Sequence, residues 1–365
     1  MRERFESLQA LRGVACLLVV AYHAAGWEAR FGLGFNPLKP TTWFGYAGVD
    51  LFFVLSGFII ASTCRPALGR PGQLPSYLFR RAWRLFPAYW AALALTIVVY
   101  CGLSEGWVFR PGWTAEVVDT LLLLPQVPTP RIVPVAWTLS YELMFYAGFA
   151  MLFLLPARAA VPALIAWAAV VLWCACAGHT PAGRYASLAV SPFVLEFLAG
   201  ALVAWLPAKL SGRWAAAVFG LALAWCGVGL AATFDPDPVR LAVDHGGRVL
   251  VFGIPAAIAV FALTGWERGG GRMRRGRLSA VGDASYSIYL LHGPFLMLMM
   301  DLTMRANMSH TRVPHCAWVA LIMAAGVLPG MLFHRYIEAP LLRLGKRKRP
   351  TAATVSHAVP TRRAA

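Results

Sequence analysis

The chain has 365 residues, of which 59% are hydrophobic and only 13% are charged, and its mean hydropathy is +0.62. This composition excludes an ordinary soluble domain and is typical of an integral membrane protein. The formal net charge of +17 does not indicate a nucleic-acid partner, because the basic residues cluster in connections that we assign to one side of a membrane.

Ten apolar stretches predict membrane-crossing helices. They cover about 8–25, 46–62, 86–103, 136–155, 159–177, 190–206, 213–232, 248–265, 284–301 and 316–334. We therefore expect an all-α integral membrane protein, a bundle of about ten transmembrane helices. A shorter apolar stretch at 117–127 ends in Pro-Gln-Val-Pro, and we interpret it as re-entrant or interfacial.

The distribution of positive charge predicts the orientation of the bundle. Arginines precede the first span, and basic clusters at 65–84, 268–277 and 343–349 follow the second, eighth and tenth spans. With ten spans, all of these segments lie on one side, which the positive-inside rule makes cytoplasmic. We predict a multi-pass protein of the inner (cytoplasmic) membrane with both termini in the cytoplasm. Residues 1–345 form its transmembrane domain, and 346–365 form a basic, disordered tail.

The first span carries two ionisable residues, Arg12 and His23, within an apolar run. Eleven steps of about 100° return nearly to the starting direction, so both side chains project from one face of the helix. They are roughly 16 Å apart along its axis. Ionisable residues inside membranes are costly and often functional, although a structural histidine remains an alternative.

Two carboxylates are predicted to lie at the depth of His23. Asp50 opens the second span, and Glu142 lies a turn or two inside the fourth. Both of these spans run inward, so we expect all three groups to converge on one level. Asp50 could instead complement the positive end of its helix, and Glu142 could pair with an arginine or a hydroxyl for packing.

The third span is preceded by Arg81 and Arg84, with Pro87 placed at the start of the helix. The two arginines share a helix face at i, i+3, which forms a fork suited to phosphate. They could also be ordinary basic anchors, but their predicted alignment with Arg12 favours a binding role.

Other polar residues within the spans are candidates for lining a substrate path. No metal-ligand spacing and no Gly-x-Ser-x-Gly pattern occurs, so we expect neither a metal site nor a serine hydrolase. The candidate lining residues are Ser56, Trp137, Tyr141, Ser285, Tyr289 and His292.

Together these motifs resemble acyltransferase family 3, the integral-membrane O-acyltransferases of bacterial surface and exported glycans. The resemblance covers nearly the whole chain. It depends on Arg12-x10-His23, Gly48–Phe58, Arg81-x-x-Arg84, Trp137–Glu142, Ser285–His292 and Glu338-x-Pro340.

The resemblance implies a ten-helix bundle that transfers an acyl group, most often acetyl, from cytoplasmic acyl-coenzyme A to a hydroxyl of a glycan or lipid-linked glycan. His23 matches the catalytic histidine, and Arg12 is its motif partner. Arg81 and Arg84 match the paired arginines near the donor, and Glu142 matches the acidic position of the fourth span. We expect membrane lipids as further partners, no bound cofactor, and no fused SGNH hydrolase-like domain.

Physical chemistry is consistent with this expectation. Arginines can hold coenzyme A phosphates by charge-assisted bonds, and a neutral His23 can take the proton of an attacking hydroxyl. Glu142 or Asp50 would orient the imidazole or bind the sugar, and an acyl-histidine intermediate is an open variant.

Two other classes of function remain as alternatives. A secondary transporter, or an acyl translocator without transferase activity, would also use ionisable residues in spans, but no inverted repeat is found. A lipid-linked sugar glycosyltransferase would be expected to carry a carboxylate in an extended outer loop, and the only clustered candidates, Asp235 and Asp237, resemble turn residues.

Overall fold

The computed structural model describes residues 5–30, 42–103, 113–125, 132–232, 245–306 and 315–347, and the regular structure in these ranges is helical, without strands. The helices are α1 (Glu6–Arg30), α2 (Ala47–Cys64), α3 (Leu74–Cys101), α4 (Trp113–Leu122), α5 (Trp137–Ala150), α6 (Ala160–Cys176), α7 (Arg184–Ala189), α8 (Phe193–Val203), α9 (Gly212–Ala232), α10 (His245–Arg268), α11 (Arg277–Asp283), α12 (Ser285–Arg305), α13 (His315–Phe333) and α14 (Ala339–Arg347).

Eight helical segments of the described chain are long and apolar enough to cross a membrane. They coincide with eight of the predicted spans, so the protein is an all-helical, multi-pass membrane protein. The other two predicted spans, 136–155 and 190–206, differ from expectation. Their helices α5 and α8 have only 14 and 11 residues, whereas about 20 are needed to cross the hydrocarbon. Helix α5 ends in a 3-10 turn, and α8 begins only after Pro192.

Helix α3 is longer than the sequence predicts. It begins at Leu74, with Pro75 in its first turn, and Pro87 lies inside it. The proline in the first turn is therefore Pro75 and not Pro87. A proline fits there because the N–H groups of a first helical turn have no partner within the helix, so its missing N–H costs no hydrogen bond. A proline inside a membrane helix is tolerated where neighbouring groups satisfy the freed carbonyl. Arg81 and Arg84 consequently lie on the helix itself, two turns from its start.

The basic segments lie at one end of the bundle. The Arg268 guanidinium, at the end of α10, lies over the rings of Phe5 and Phe58. At the same end, the Trp83 indole near the start of α3 donates to the carbonyl of Leu341 in α14. The orientation of this end relative to the membrane stays a prediction from the charge distribution.

Glycines allow the helices at the centre of the bundle to approach closely. Gly57 of α2 faces the backbone of α8 and Gly200 of α8 faces that of α2, and a Cβ added at either would lie 1.9 Å from a carbonyl oxygen. Gly13 of α1 and Gly282 of α11 form a similar reciprocal contact. Small residues that bring helix backbones together are the main packing device in membranes, where the lipid gives no hydrophobic driving force.

Two helices contain π-helical turns. In α10 the turn is Val249–Gly253, directly after Arg248, and a second turn at His334–Glu338 joins α13 to α14. Such turns contain one residue more than an α-helical turn and occur frequently at functional sites. Each turn adjoins or contains a buried charged side chain. Arg248, directly before the first turn, is 3% exposed, and Glu338, the last residue of the second, is fully buried.

Helix α4 covers part of the stretch predicted to be re-entrant or interfacial. It has ten residues, too few to cross a bilayer. Its last turn is fixed to α3 and α5, since Tyr89 and Trp90 donate to the carbonyls of Thr120 and Leu121, and Ser140 donates to that of Leu123.

Candidate active site

A cavity of about 160 Å³ lies within the bundle near its basic end. Three arginines from two helices, Arg12 of α1 and Arg81 and Arg84 of α3, line it together with Glu142. The remaining wall is mostly apolar and includes Phe52, Phe53, Leu55, Ile59, Leu85 and Phe197. The cavity therefore combines a cationic end with an apolar body.

Arg12 is held by neutral partners. Its Nη2 donates to Oγ of Ser285 over 2.9 Å, and its Nη1 lies 3.4 Å from the amide oxygen of Gln9. Ser285 begins α12, which packs along α1. In the described part of the chain no carboxylate is within ion-pair distance of Arg12, so its charge is available to a ligand in the cavity.

Arg81 also lacks a carboxylate partner among the described residues. Its guanidinium donates to the hydroxyl of Thr63 over 3.0 Å and lies 5.6 Å from the ring centroids of both Tyr77 and Tyr146. Its Nε is buried without a hydrogen-bond partner. Aromatic faces stabilise a cation without neutralising it, so Arg81 remains a full positive charge at the cavity wall.

Arg84 differs from the other two arginines because it forms an ion pair with Glu338. The Arg84 Nη1 to Glu338 Oε1 distance is 2.5 Å. The second carboxylate oxygen accepts from Ser287 at 2.6 Å and from Nδ1 of His334 at 2.7 Å. Glu338 is thus fully bonded, and it fixes Arg84 in place rather than facing the cavity.

Glu142 lies among the arginines rather than beside His23. Its carboxylate accepts from the hydroxyls of Ser56 and Tyr146. Ser56 is six residues after Asp50 on α2, which places Glu142 roughly 9 Å deeper along that helix than Asp50. The expected convergence of three titratable groups on one level is therefore not what the structure contains.

Asp50 forms an ion pair with Arg248, an arginine that is not among the predicted site residues. Its carboxylate accepts from Nη2 and Nε of Arg248 over 2.5 and 3.2 Å, and both residues are buried. The Arg248 guanidinium also lies 4.8 and 4.9 Å from the ring centroids of Tyr46 and Phe193. Among the described residues, no contact joins Asp50 to His23. Arg248 stands at the first position of a predicted apolar span, and that position was the only available signal.

His23 instead pairs with a second histidine. Its Nδ1 lies 2.9 Å from the carbonyl of Val19, one turn earlier in α1, and 3.2 Å from Nε2 of His292 in α12. The ring of Tyr22 lies edge-on at 5.2 Å. Nε2 of His23 has no hydrogen-bond partner among the described residues.

The other candidate lining residues fall into three groups. Ser56 and Tyr289 line the cavity, and Ser285 lies behind its wall, bonded to Arg12. Trp137 and Tyr141 do not line it and instead pack edge-on against each other and around Phe53. The Tyr289 hydroxyl accepts from the Thr138 hydroxyl and donates to the Val135 carbonyl. Its ring lies 5.8 Å from the His292 ring, so Tyr289 stands between the cavity and the histidine pair.

The charges that surround the cavity leave an excess of positive charge. Three guanidiniums face two carboxylates, and Glu338 is committed to Arg84. The described residues contain no group of three or more histidine, cysteine, aspartate or glutamate side chains able to hold a metal ion. The site suits an anionic ligand with an apolar segment. His23 does not line the cavity and lies farther along α1, beyond Tyr289.

The chain is similar to a protein family and to several known proteins. The family model for the acyltransferase domain, Acyl_transf_3, matches residues 5–335. The exopolysaccharide production protein ExoZ of Rhizobium meliloti (strain 1021) is 30% identical over 324 residues, covering 86% of this chain and 95% of ExoZ. The acyltransferase MdmB of Streptomyces mycarofaciens is 29% identical, covering 96% of this chain and 94% of MdmB.

A more limited match joins the chain to a cell-wall enzyme. The peptidoglycan O-acetyltransferase OatA of Listeria monocytogenes is 31% identical over 99 residues, which cover 27% of this chain and 14% of OatA. No solved structure matches the chain.

Proposed function

Because this chain belongs to acyltransferase family 3, we propose that it transfers an acyl group, which we take to be acetyl, from cytoplasmic acyl-coenzyme A to a hydroxyl of a glycan such as lipopolysaccharide O-antigen, exopolysaccharide or capsule. ExoZ is named for exopolysaccharide production and OatA for peptidoglycan O-acetylation. These relatives support a glycan or a lipid-linked glycan as the acceptor. The proposal places the protein in the inner membrane, with its basic end in the cytoplasm.

The observation that carries the proposal is the convergence of three arginines on one cavity, with His23 farther along the same helix as Arg12. Arg12 and Arg81 have no carboxylate partner within the described ranges, and coenzyme A brings phosphates that such guanidiniums bind by charge-assisted hydrogen bonds. Arg12 and His23 are separated by roughly 16 Å, comparable with the reach of an extended pantetheine arm. The apolar wall formed by Phe52 and its neighbours suits that arm and the acyl group.

In the proposed reaction His23 acts as the general base. Its Nε2 takes the proton of the acceptor hydroxyl while the hydroxyl oxygen attacks the thioester carbonyl carbon. The carbon–sulfur bond then breaks, and the proton passes from the imidazolium to the departing thiolate, which leaves as coenzyme A. Glu142, which lies among the arginines, is assigned to the donor site. Asp50 is left out of the chemistry because Arg248 occupies it.

Replacing His23 by Ala tests this assignment. We expect loss of glycan acylation at least a hundredfold, since a general base contributes 10²–10⁴-fold, while the amount of protein in the membrane stays unchanged. The assay is transfer of radiolabelled acetyl from acetyl-coenzyme A to cell-envelope glycan by the purified protein. His179→Ala is the matched control, because His179 is exposed and lies outside the site.

Retained activity in the His23→Ala variant would overturn the proposed base. A wild-type protein that moves acetyl across reconstituted vesicles but forms no ester would instead favour an acyl translocator.

A further inference from the structure

The two histidines that meet between α1 and α12 are each constrained by a backbone carbonyl of their own helix. Nδ1 of His23 is 2.9 Å from the Val19 carbonyl, and Nδ1 of His292 is 3.2 Å from the Ile288 carbonyl. A carbonyl oxygen only accepts hydrogen bonds, so a ring nitrogen at this distance must carry the proton. Both rings are therefore Nδ1–H tautomers.

These tautomers determine the direction of the bond between the rings. With its proton on Nδ1, His292 presents a bare Nε2, which can only accept. This Nε2 lies 3.2 Å from Nδ1 of His23, so the Nδ1–H of His23 is shared between the Val19 carbonyl and His292. The reverse direction would require His23 Nδ1 to be bare and to face the Val19 carbonyl with two acceptors in contact.

The surroundings of His292 keep it in this state. It is fully buried, and its other near contact is the ring of Tyr289 at a centroid distance of 5.8 Å. No carboxylate lies within ion-pair distance of either imidazole in the described part of the chain. Burial without a counter-charge favours the neutral ring, so His292 remains an acceptor.

We propose that His292 is a positioning residue that, together with the Val19 carbonyl, holds His23 in the Nδ1–H tautomer and thereby leaves Nε2 as the nitrogen that receives the acceptor proton. This inference rests on the proposed function, in which His23 is the base. In this arrangement His292, rather than Asp50 or Glu142, orients the His23 ring. The device resembles in logic a third group that orients the base of a catalytic triad.

Three substitutions at His292 separate this role from simple packing. In His292→Gln the amide oxygen takes the place of Nε2 and can still accept from His23. In His292→Asn the shorter side chain reaches only toward the Ile288 carbonyl, and in His292→Leu the volume is kept without any acceptor. We expect kcat to stay within about threefold for Gln and to fall on the order of tenfold or more for Asn and Leu, with KM for acetyl-coenzyme A unchanged in all three.

A second measurement does not depend on activity. Nitrogen-15 spectra of histidine-labelled protein in detergent distinguish protonated from bare ring nitrogens, and the His23→Ala variant identifies the His23 signals. We expect protonated Nδ1 and bare Nε2 at His23 in the wild type and in His292→Gln. In His292→Leu the Val19 carbonyl remains as the one acceptor described for this nitrogen, so we expect a share of the Nε2–H tautomer beside the Nδ1–H form.

The outcomes distinguish this inference from the proposed function. Equal kcat in the Gln, Asn and Leu variants, or an Nε2–H tautomer at His23 in the wild type, would overturn the positioning role while leaving His23 as the base. Full activity in His23→Ala would instead remove the proposed function on which the role depends. Thermal unfolding of each variant in detergent accompanies the assays, and a kcat loss that follows the unfolding temperature rather than the acceptor group would also count against the inference.

Discussion

The buried arginines of this bundle have two kinds of partner, either a carboxylate or neutral groups. Arg248 and Asp50 neutralise each other in the interior, with 4% and 0% of their side chains exposed. Arg12 and Arg81, by contrast, have hydroxyls and aromatic rings as partners and keep their charge for the cavity. The Asp50–Arg248 ion pair stabilises the fold. Arg12 and Arg81 can still bind an anionic ligand, because no carboxylate among the described residues neutralises them.

The Asp50–Arg248 pair gives a prediction for stability. Asp50→Asn removes the carboxylate that forms the ion pair with the buried Arg248 guanidinium, and we expect a loss of about 3–5 kcal/mol in the free energy of unfolding. The double variant Asp50→Leu with Arg248→Met should recover most of this loss, because it removes both charges. Thermal unfolding in detergent measures both.

An exposed ion pair supplies the control for that experiment. Asp301 accepts from Arg305, whose side chain is 51% exposed, so Asp301→Asn should cost less than about 1 kcal/mol. A double variant no more stable than Asp50→Asn alone would contradict the argument that removing this carboxylate from the buried Arg248 causes the loss.

At the scale of helices, close backbone contact determines which elements can carry the site. Helices α2 and α8 meet through Gly57 and Gly200, and α2 supplies Ser56 and much of the cavity wall. The short α8 cannot cross a bilayer alone, yet most of its residues are buried against its neighbours. The glycine contact therefore supports the cavity as well as the packing.

Gly57→Ala tests this contact. The new Cβ would lie 1.9 Å from the carbonyl oxygen of Phe197, so the helices must separate, and we expect a loss of about 1–3 kcal/mol in the free energy of unfolding. The same change at Gly220 of α9, where no atom lies within 4 Å, should cause no loss. Equal melting temperatures for the two variants would show that α2 and α8 can move apart freely.

Across the whole molecule, the positive charge at one end and the cavity at that end form a single feature. The sequence predicted the eight longest spans, since apolar runs of about 20 residues leave little alternative in a membrane. It also predicted that the arginines of α1 and α3 meet. It left a hydroxyl partner open for Glu142, which the structure contains. It did not predict the partners of Asp50 and His23, because a side chain's depth depends on where its helix starts and how neighbouring helices are staggered. The hydrophobic periodicity of a single segment determines neither the first residue of its helix nor its stagger relative to neighbouring helices.

The cationic cavity predicts how donor binding responds to substitution. Arg12→Gln and Arg81→Gln should each raise KM for acetyl-coenzyme A about tenfold or more, as expected for a lost hydrogen bond to a charged group of 1.5–3 kcal/mol. Acetyl-pantetheine, which lacks the nucleotide phosphates, should have a high KM that these substitutions do not change.

Arg213→Gln is the control for this prediction, because Arg213 is exposed and lies over Trp214, outside the cavity. If all three variants bind the donor as the wild type does, the arginines are membrane anchors and the donor binds elsewhere.

The π turns take up one extra residue at each of two places in the chain. Each accommodates one extra residue, at Val249–Gly253 and at His334–Glu338, and each residue of a helix turns the chain by about 100°. Deleting one residue from Val249–Gly253 would let the helix relax to the α form with the segments on either side nearly in their present directions, because the π turn already takes up the extra residue. Without such a turn, an added residue would rotate everything after it by about 100°. The wide turn therefore lets Arg248 reach Asp50 while the helix from Ile254 onward keeps its packing.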